Sequence, residues 1–186
     1  FPTDGDPVLI DVSMSTTTNA MTRRVHAEGG RLPGEWVVDA DGRPSDDPAV
    51  LFGEPPGAIL PLGGLDLGHK GYALALLVEA LTSGLAGHGR AEAPTQWGAS
   101  VFLQLIDPER FGGRAAFVRE TARVAELCRT TPVPGGGSAV RLPGERALAR
   151  RARQLAEGVT LHSAILEKLS PWADRLGVPL SFHSTK

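Results

Sequence analysis

The residues with the most chemistry to offer fall in two short runs. In the first, the apolar stretch Pro7-Val-Leu-Ile-Asp-Val12 carries Asp11, and Ser13-Met-Ser-Thr-Thr-Thr18 follows it. A carboxylate accepts hydrogen bonds from sugar hydroxyls, and Ser13, Ser15 and Thr16 can donate to phosphate oxygens. Together these types suit a ribose and a phosphate. They also suit helix capping, because short hydroxyl side chains bond nearby backbone N–H groups; the pattern alone leaves both readings open. The second run is Gly68-His-Lys-Gly71, followed by an apolar stretch from Tyr72 to Leu85 in which Glu79 is the only charge. Gly68 and Gly71 lack a Cβ and let the backbone approach a partner closely. With a helix starting here, Lys70 falls in the first turn, where a cation opposes the helix dipole. Free helix N–H groups beside an ammonium make a site for phosphate or carboxylate. The alternative is a buried core helix with a solvated lysine at its mouth.

Other chemistries are excluded or unsupported. Gly63-Gly64 and Gly135-Gly-Gly137 lack the G-x-G-x-x-G spacing of a Rossmann phosphate turn, and no G-x-S-x-G nucleophile elbow occurs. The histidines at 26, 69, 88, 162 and 183 are scattered and form no zinc-binding pair. Asp39 to Asp47 is acidic but lacks the calcium-loop spacing. No metal is expected. Cys128 stands alone, so no internal disulfide marks an oxidising compartment. A net charge of −2 gives no basic footprint for nucleic acid and no polybasic membrane patch. The apolar fraction of 41% suffices for a core, and no run approaches a membrane span.

These runs need elements to hold them. Pro7 to Val12 reads as a buried strand, and a helix follows from about Thr17 to Ala27, closed by Gly29-Gly30. Arg31 to Gly57 is dense in turn signals such as Pro33-Gly34, Asp41-Gly42 and Pro55-Pro-Gly57 and reads mostly as loop. The apolar helix Tyr72 to Leu85 is expected in the core, with Leu77 and Leu81 buried. Gly98 to Asp107 reads as a second strand, anchored by Trp97. Phe117, Val118, Val124, Ala125 and Cys128 repeat at helical spacing over 114 to 128. Thr131 to Ser138 is a candidate hinge, followed by a basic helix over 147 to 157 that Gly158 ends. A last helix over His162 to Leu176 contains Pro171, which predicts a kink or a restart capped by Ser170.

Several motifs carry a family resemblance, in order along the chain. Pro61-Leu-Gly-Gly64 with His69-Lys-Gly-Tyr72, Ile10-Asp-Val-Ser-Met-Ser15, Leu32-Pro-Gly-Glu-Trp36 with Asp39-Ala-Asp-Gly-Arg-Pro44, and Arg141-Leu-Pro-Gly-Glu-Arg146 resemble the malate/L-lactate dehydrogenase family with a non-Rossmann cofactor fold. The resemblance covers that family's C-terminal half. It departs at Val12, where Met is usual, and at Ala73, where Gly is usual; neither change removes a polar contact.

The resemblance implies an α/β fold: a layered, mostly antiparallel mixed sheet with helices, plus part of a helical domain. It implies that residues 1–112 are the C-terminal part of an NAD(P)-binding domain. Residues 113–186 are then a helical segment that packs with helices N-terminal to Phe1. The implied activity is hydride transfer to or from a 2-oxo or 2-hydroxy acid, or a related imine, with NAD or NADP. A cytoplasmic homodimer acting on a small molecule is expected, with no nucleic acid or membrane partner. Cofactor contacts carry over onto Asp11, Val12, Ser13, Met14, Ser15, Thr16 and Thr17, onto His69 and Lys70, and onto Gly144, Glu145 and Arg146. Asp11 takes a supporting catalytic role, bonding a hydroxyl or steadying a histidine. The family's Ser-His-Gly run and following arginine, which supply acid/base chemistry and substrate binding, have no counterpart here and are expected upstream. The competing expectation is an inactive fragment, or a split subunit that needs a partner carrying that half.

Overall fold

The hydroxyl run ends in a helix. In the computed structural model, which describes residues 1–96, 98–161 and 163–180, Thr18 caps α1 (Asn19–Ala27) by accepting from the Met21 amide at 3.2 Å. At its other end, Gly29 takes φ +67°, its N–H meets the His26 carbonyl, and the Gly30 N–H meets the Val25 carbonyl. That is the Schellman arrangement, so the expected Gly29-Gly30 stop holds for a stated geometric reason.

The chain divides into two units, Asp11–Arg114, and Phe1–Ile10 with Ala115–Lys186. In the first, α1 lays Val25 against Leu32 and Val37, with Met21, Trp36, Val50, Leu51 and Ile59 around them. The sheet lies inside the stretch expected as loop. β1 (Val37–Val38), β2 (Pro44–Ser45) and β3 (Ala58–Ile59) form an antiparallel sheet in the order β2-β1-β3. Val37 stands opposite both Ser45 and Ile59. Strands of two residues are too short to show alternation in a sequence. The Asp39 carboxylate accepts from the Asp41 and Arg43 amides, both at 2.9 Å, and so turns the chain from β1 into β2. Pro44 is tolerated because its strand is an edge.

α2 (Gly64–Glu79) continues through a wider turn over Ala80–Gly84. It starts earlier than expected, and it is not buried. Gly68 and Gly71 are its buried positions among the described residues, while Leu74, Leu76 and Leu77 are about half exposed. Hydropathy states what a helix will bury, not what is there to bury it. Leu81 is half-buried. The strand expected over 98–107 is an extended, unpaired segment from Gly98 on, because no neighbouring strand is there among the described residues to complete a ladder.

In the second unit, the strand expected over 7–12 is likewise not formed; instead Val8 N–H bonds the Phe1 carbonyl and Leu9 N–H bonds the Pro143 carbonyl. α3 (Arg114–Thr130), whose first residue closes the other unit, buries Ala125; its Thr121 hydroxyl donates to the Pro2 carbonyl at 2.7 Å. Val124, expected on the apolar side, is exposed. α4 (Glu145–Glu157) ends at Gly158 as expected. α5 (Ser163–Leu176) runs through Pro171 as one helix, without the expected restart, and the Ser170 hydroxyl donates to the Leu166 carbonyl. The positions expected for Trp97 and His162 lie outside the described residues. The fold is of the mixed α/β class, with five α-helices and a small antiparallel sheet among the described residues.

Candidate functional site

The stretch Leu60 to Leu62, whose Pro61-Leu62 carries part of the family resemblance, lies between parts of two candidate runs. Residues 13–17 lie antiparallel to 60–62: Thr16 N–H donates to the Leu60 carbonyl and Leu62 N–H to the Met14 carbonyl, both at 2.9 Å. The Thr16 hydroxyl reaches the Trp36 carbonyl at 2.9 Å and the Leu60 carbonyl at 3.1 Å. On the other side of the same stretch sits α2. A Cβ on Gly68 would lie 2.9 Å from Pro61 Cγ, and one on Gly71 would lie 2.8 Å from Leu62 Cα and overlap its carbonyl oxygen. The glycines' close partner is therefore the chain itself. His69 and Lys70 share that turn of α2 and are exposed. Met14 to Thr16 and the α2 turn that carries His69 and Lys70 thus border the same stretch, Leu60 to Leu62. In the sequence, Pro61-Leu-Gly-Gly64 is marked only by the family resemblance it carries.

The geometry changes what each residue offers. α2 begins at Gly64, so Lys70 is in the second turn, away from the free N–H groups of the helix mouth, where Asp66 sits instead. The helix-dipole reason given for an anion there does not hold; the exposed ammonium does, and among the described residues it has no carboxylate partner. The hydroxyl protons are already used. Ser13 and Ser15 oxygens are 2.5 Å apart, and Ser15 donates to the Thr17 carbonyl at 2.7 Å, so Ser13 is the donor of that pair. With Thr16 bonded to carbonyls, these hydroxyls stiffen the loop and present lone pairs rather than free protons. Thr17 is buried, and its Oγ1 has no hydrogen-bond partner among the described residues. Asp11, Val12 and Ser13 are exposed, and Met14 is half-buried.

The third candidate run belongs to the other unit. Gly144 takes φ +98°, and a Cβ there would lie 2.8 Å from Leu9 Cβ and 3.0 Å from Leu9 N. Glu145 is fully engaged: Arg129 Nε donates to one oxygen at 2.8 Å and the Leu142 amide to the other at 3.0 Å. The Arg129 hydrogen bond, then the Leu142 amide, hold its carboxyl below the usual range. Arg146 is exposed, with no ion pair among the described residues.

Sequence reasoning missed one further feature. Beyond α2 an open hollow of about 610 Å³ is lined by Ser83, His88, Gly89, Thr95, Gln96 and Ser100 among others. Arg90 Nε meets Glu79 Oε1 at 3.0 Å beside it. Only the density of polar residues after the apolar run signals it. Among the described residues no group of three or more His, Cys, Asp or Glu side chains is placed to hold a metal, and no described helix is long and apolar enough to cross a membrane.

A sequence profile described as malate/L-lactate dehydrogenase matches residues 1–170. The chain belongs to that family. A relative from Pseudomonas syringae pv. tomato is named a Delta(1)-pyrroline-2-carboxylate/Delta(1)-piperideine-2-carboxylate reductase. It is 34% identical over 181 residues, covering 91% of this chain and 48% of its own length. An L-lactate dehydrogenase from Cupriavidus necator is 31% identical, covering 96% of this chain and 51% of its own. The solved malate dehydrogenase of Pyrococcus horikoshii superposes with a TM-score of 0.76 at 26% identity, over 96% of this chain and 49% of that one. The chain spans about half the length of the curated relatives it matches.

Proposed function

We propose that this chain is the cofactor-binding portion of an NAD(P)-dependent oxidoreductase acting on a 2-oxo or 2-hydroxy acid, or on a related cyclic imine. The observation that carries the reading is that Met14–Thr16 pair with Leu60–Leu62 on one side while the α2 turn bearing His69 and Lys70 packs through Gly68 and Gly71 on the other, in a family member. The donor set fits a dinucleotide: an exposed carboxylate for a ribose hydroxyl, an exposed ammonium for phosphate, and a hydroxyl-stiffened loop between them. When bound, the dinucleotide supplies or accepts hydride at the nicotinamide. Lys70 offsets anionic charge, and the Ser13–Ser15–Thr17 hydrogen bonds fix the loop that presents Asp11. Asp11 accepts from a hydroxyl or orients an imidazole, and His69 contributes a contact. Gly144, Glu145 and Arg146 are proposed as further cofactor contacts, with Glu145 acting chiefly to pin the turn.

In this reading residues 1–112 serve the cofactor and 113–186 are a helical segment. The enzyme works in the cytoplasm as a homodimer, and the remaining acid/base groups come from outside this chain. Fluorescence titration of NADH and NADPH, with and without the polypeptide equivalent to the rest of a relative, tests it. Saturable binding that Asp11→Asn weakens is the expected result. Absence of binding by either form under both conditions refutes the reading.

A further inference from the structure

The turn that opens α4 is held from three directions. Glu145 takes one donor on each carboxylate oxygen, Arg129 Nε of α3 at 2.8 Å and the Leu142 amide at 3.0 Å. The Leu9 N–H bonds the Pro143 carbonyl at 3.0 Å. Gly144 comes so close to the same residue that a Cβ there would sit 2.8 Å from Leu9 Cβ. Leu9 stands two residues ahead of Asp11 in the sequence. The seat of Leu9 is therefore backbone of the same short turn that the Glu145 carboxylate folds.

The other arginine pairs of α3 are of a different kind. Arg119 meets Glu120 and Arg123 meets Glu126, each a neighbour on the helix itself. Such pairs leave the path of the chain as it is. Arg129 instead bonds a residue 16 positions on, across the Pro- and Gly-rich stretch. Its partner is also the better shielded carboxylate: the Glu145 side chain is 30% exposed, against 72% for Glu120 and 61% for Glu126. A charged pair is stronger where water is partly withdrawn. Without Arg129 the carboxylate keeps its local Leu142 bond and loses its tie to α3.

We propose that Arg129 is a positioning residue: acting through Glu145, it holds the 142–145 turn in the place where Leu9 docks and where Gly144, Glu145 and Arg146 meet the dinucleotide. The effect on the dinucleotide rests on the function proposed above; the hold on Leu9 stands without it.

Amide exchange of the 186-residue chain is read first, with no nucleotide present. Arg129 is 45% exposed, so its replacement leaves the fold in place, which circular dichroism checks. Arg129→Gln should speed exchange at Leu9 and Leu142 by about 5-fold, the order of effect of a partly exposed ion pair. Arg129→Lys keeps the single donor that the pair uses and should restore the parent rates. Arg123→Gln removes a pair within α3 and should leave them unchanged. In a Glu145→Ala background Arg129→Gln should add nothing, because the route runs through that carboxylate. NADH and NADPH are then titrated into the same proteins. Whichever the parent binds should be held about 5-fold more weakly by Arg129→Gln and normally by Arg129→Lys.

An unchanged Leu9 rate in Arg129→Gln overturns the proposal. So does an equal effect of Arg123→Gln, which makes the loss a general one of α3. A full effect of Arg129→Gln in the Glu145→Ala background overturns it too, since Glu145 is then off the route. Loosened Leu9 with unchanged nucleotide affinity overturns the dinucleotide part. A parent chain that binds neither nucleotide refutes the function proposed above, while the Leu9 rates still decide the hold by Arg129.

Discussion

Gly71→Ala tests the contact on which the candidate site is built. In an exposed helix interior this exchange stabilises by about 1 kcal/mol, because alanine loses less backbone freedom. At Gly71 the new methyl group meets the backbone of Leu62, with Cα 2.8 Å away and the carbonyl oxygen overlapped. A backbone cannot rotate aside, so overpacking of about 1–3 kcal/mol opposes the gain. With three Leu62 backbone atoms within 2.8 Å the upper end of that range applies, and the expected net result is a loss of about 2 kcal/mol. With a urea slope of about 2 kcal/mol per M, the midpoint falls by roughly 1 M.

Two neighbours calibrate the measurement. Gly68→Ala meets only the Pro61 ring at 2.9 Å, which can pucker away, and should come out near zero. Gly84→Ala meets nothing closer than the Glu79 oxygen at 3.6 Å and should stabilise. Amide exchange at Thr16 and Leu62 reports whether the loss reaches the paired segments. If Gly71→Ala is as stable as Gly84→Ala, α2 does not rest on Pro61-Leu62 and the two runs do not border one stretch.

Lys70→Ala should weaken NADH or NADPH binding by about 10- to 150-fold, the worth of a charge-assisted bond of about 1.5–3 kcal/mol; an unchanged dissociation constant refutes its role. Thr17→Val should leave stability unchanged or raise it by about 1 kcal/mol, because it removes a buried hydroxyl without a partner; a fall in Tm points to a bonded partner for Thr17 instead. Glu145 has a lowered carboxyl pKa. Its contribution is therefore full above the unfolded carboxylate's value and is lost as pH falls through the folded one. The Leu142 amide should exchange faster across that acid window in the parent, while Glu145→Gln removes the pH step; an identical step in both clears Glu145 of the role. The chain alone should not oxidise NADH or NADPH with a panel of 2-oxo acids, since no described residue couples a proton donor to a carboxylate-binding cation. Turnover at a normal enzyme rate would move the acid role to His69 or Asp11.

Local signals were legible wherever one element decided them. The Gly29-Gly30 stop and the Gly158 stop both follow from residues within a turn of one another, whereas of the apolar side expected for α3 Phe117 and Val124 are exposed. The sheet was hidden because Val37-Val38, Pro44-Ser45 and Ala58-Ile59 are defined by their partners, and two residues carry no period. Gly68 and Gly71 were rightly read as close-approach positions, but their spacing does not name the neighbour; Leu62 does. α2 starts at Gly64, ahead of the apolar run from Tyr72, because its first two turns mix Gly, Asp, His and Lys with leucine and so do not read as part of that run. At the candidate site the residue types were visible, but the use of their protons was not. Only coordinates show Ser13, Ser15 and Thr16 spending their donors inside the loop. Burial of the two most apolar stretches failed for a different reason: hydropathy records a demand that this chain by itself does not meet.

The clasp at Glu145 has a consequence for how the chain tolerates change. Arg129 at the end of α3 and Leu142 before α4 are both tied to one carboxylate, so the ends of the Pro- and Gly-rich stretch between them are fixed independently of its middle. Closing a loop whose ends are already held costs only about 0.6 kcal/mol for each doubling of its length. Gly135-Gly-Gly137 is exposed. That makes it the place where added residues, such as a spectroscopic label or a protease site, leave the helices on either side as they are.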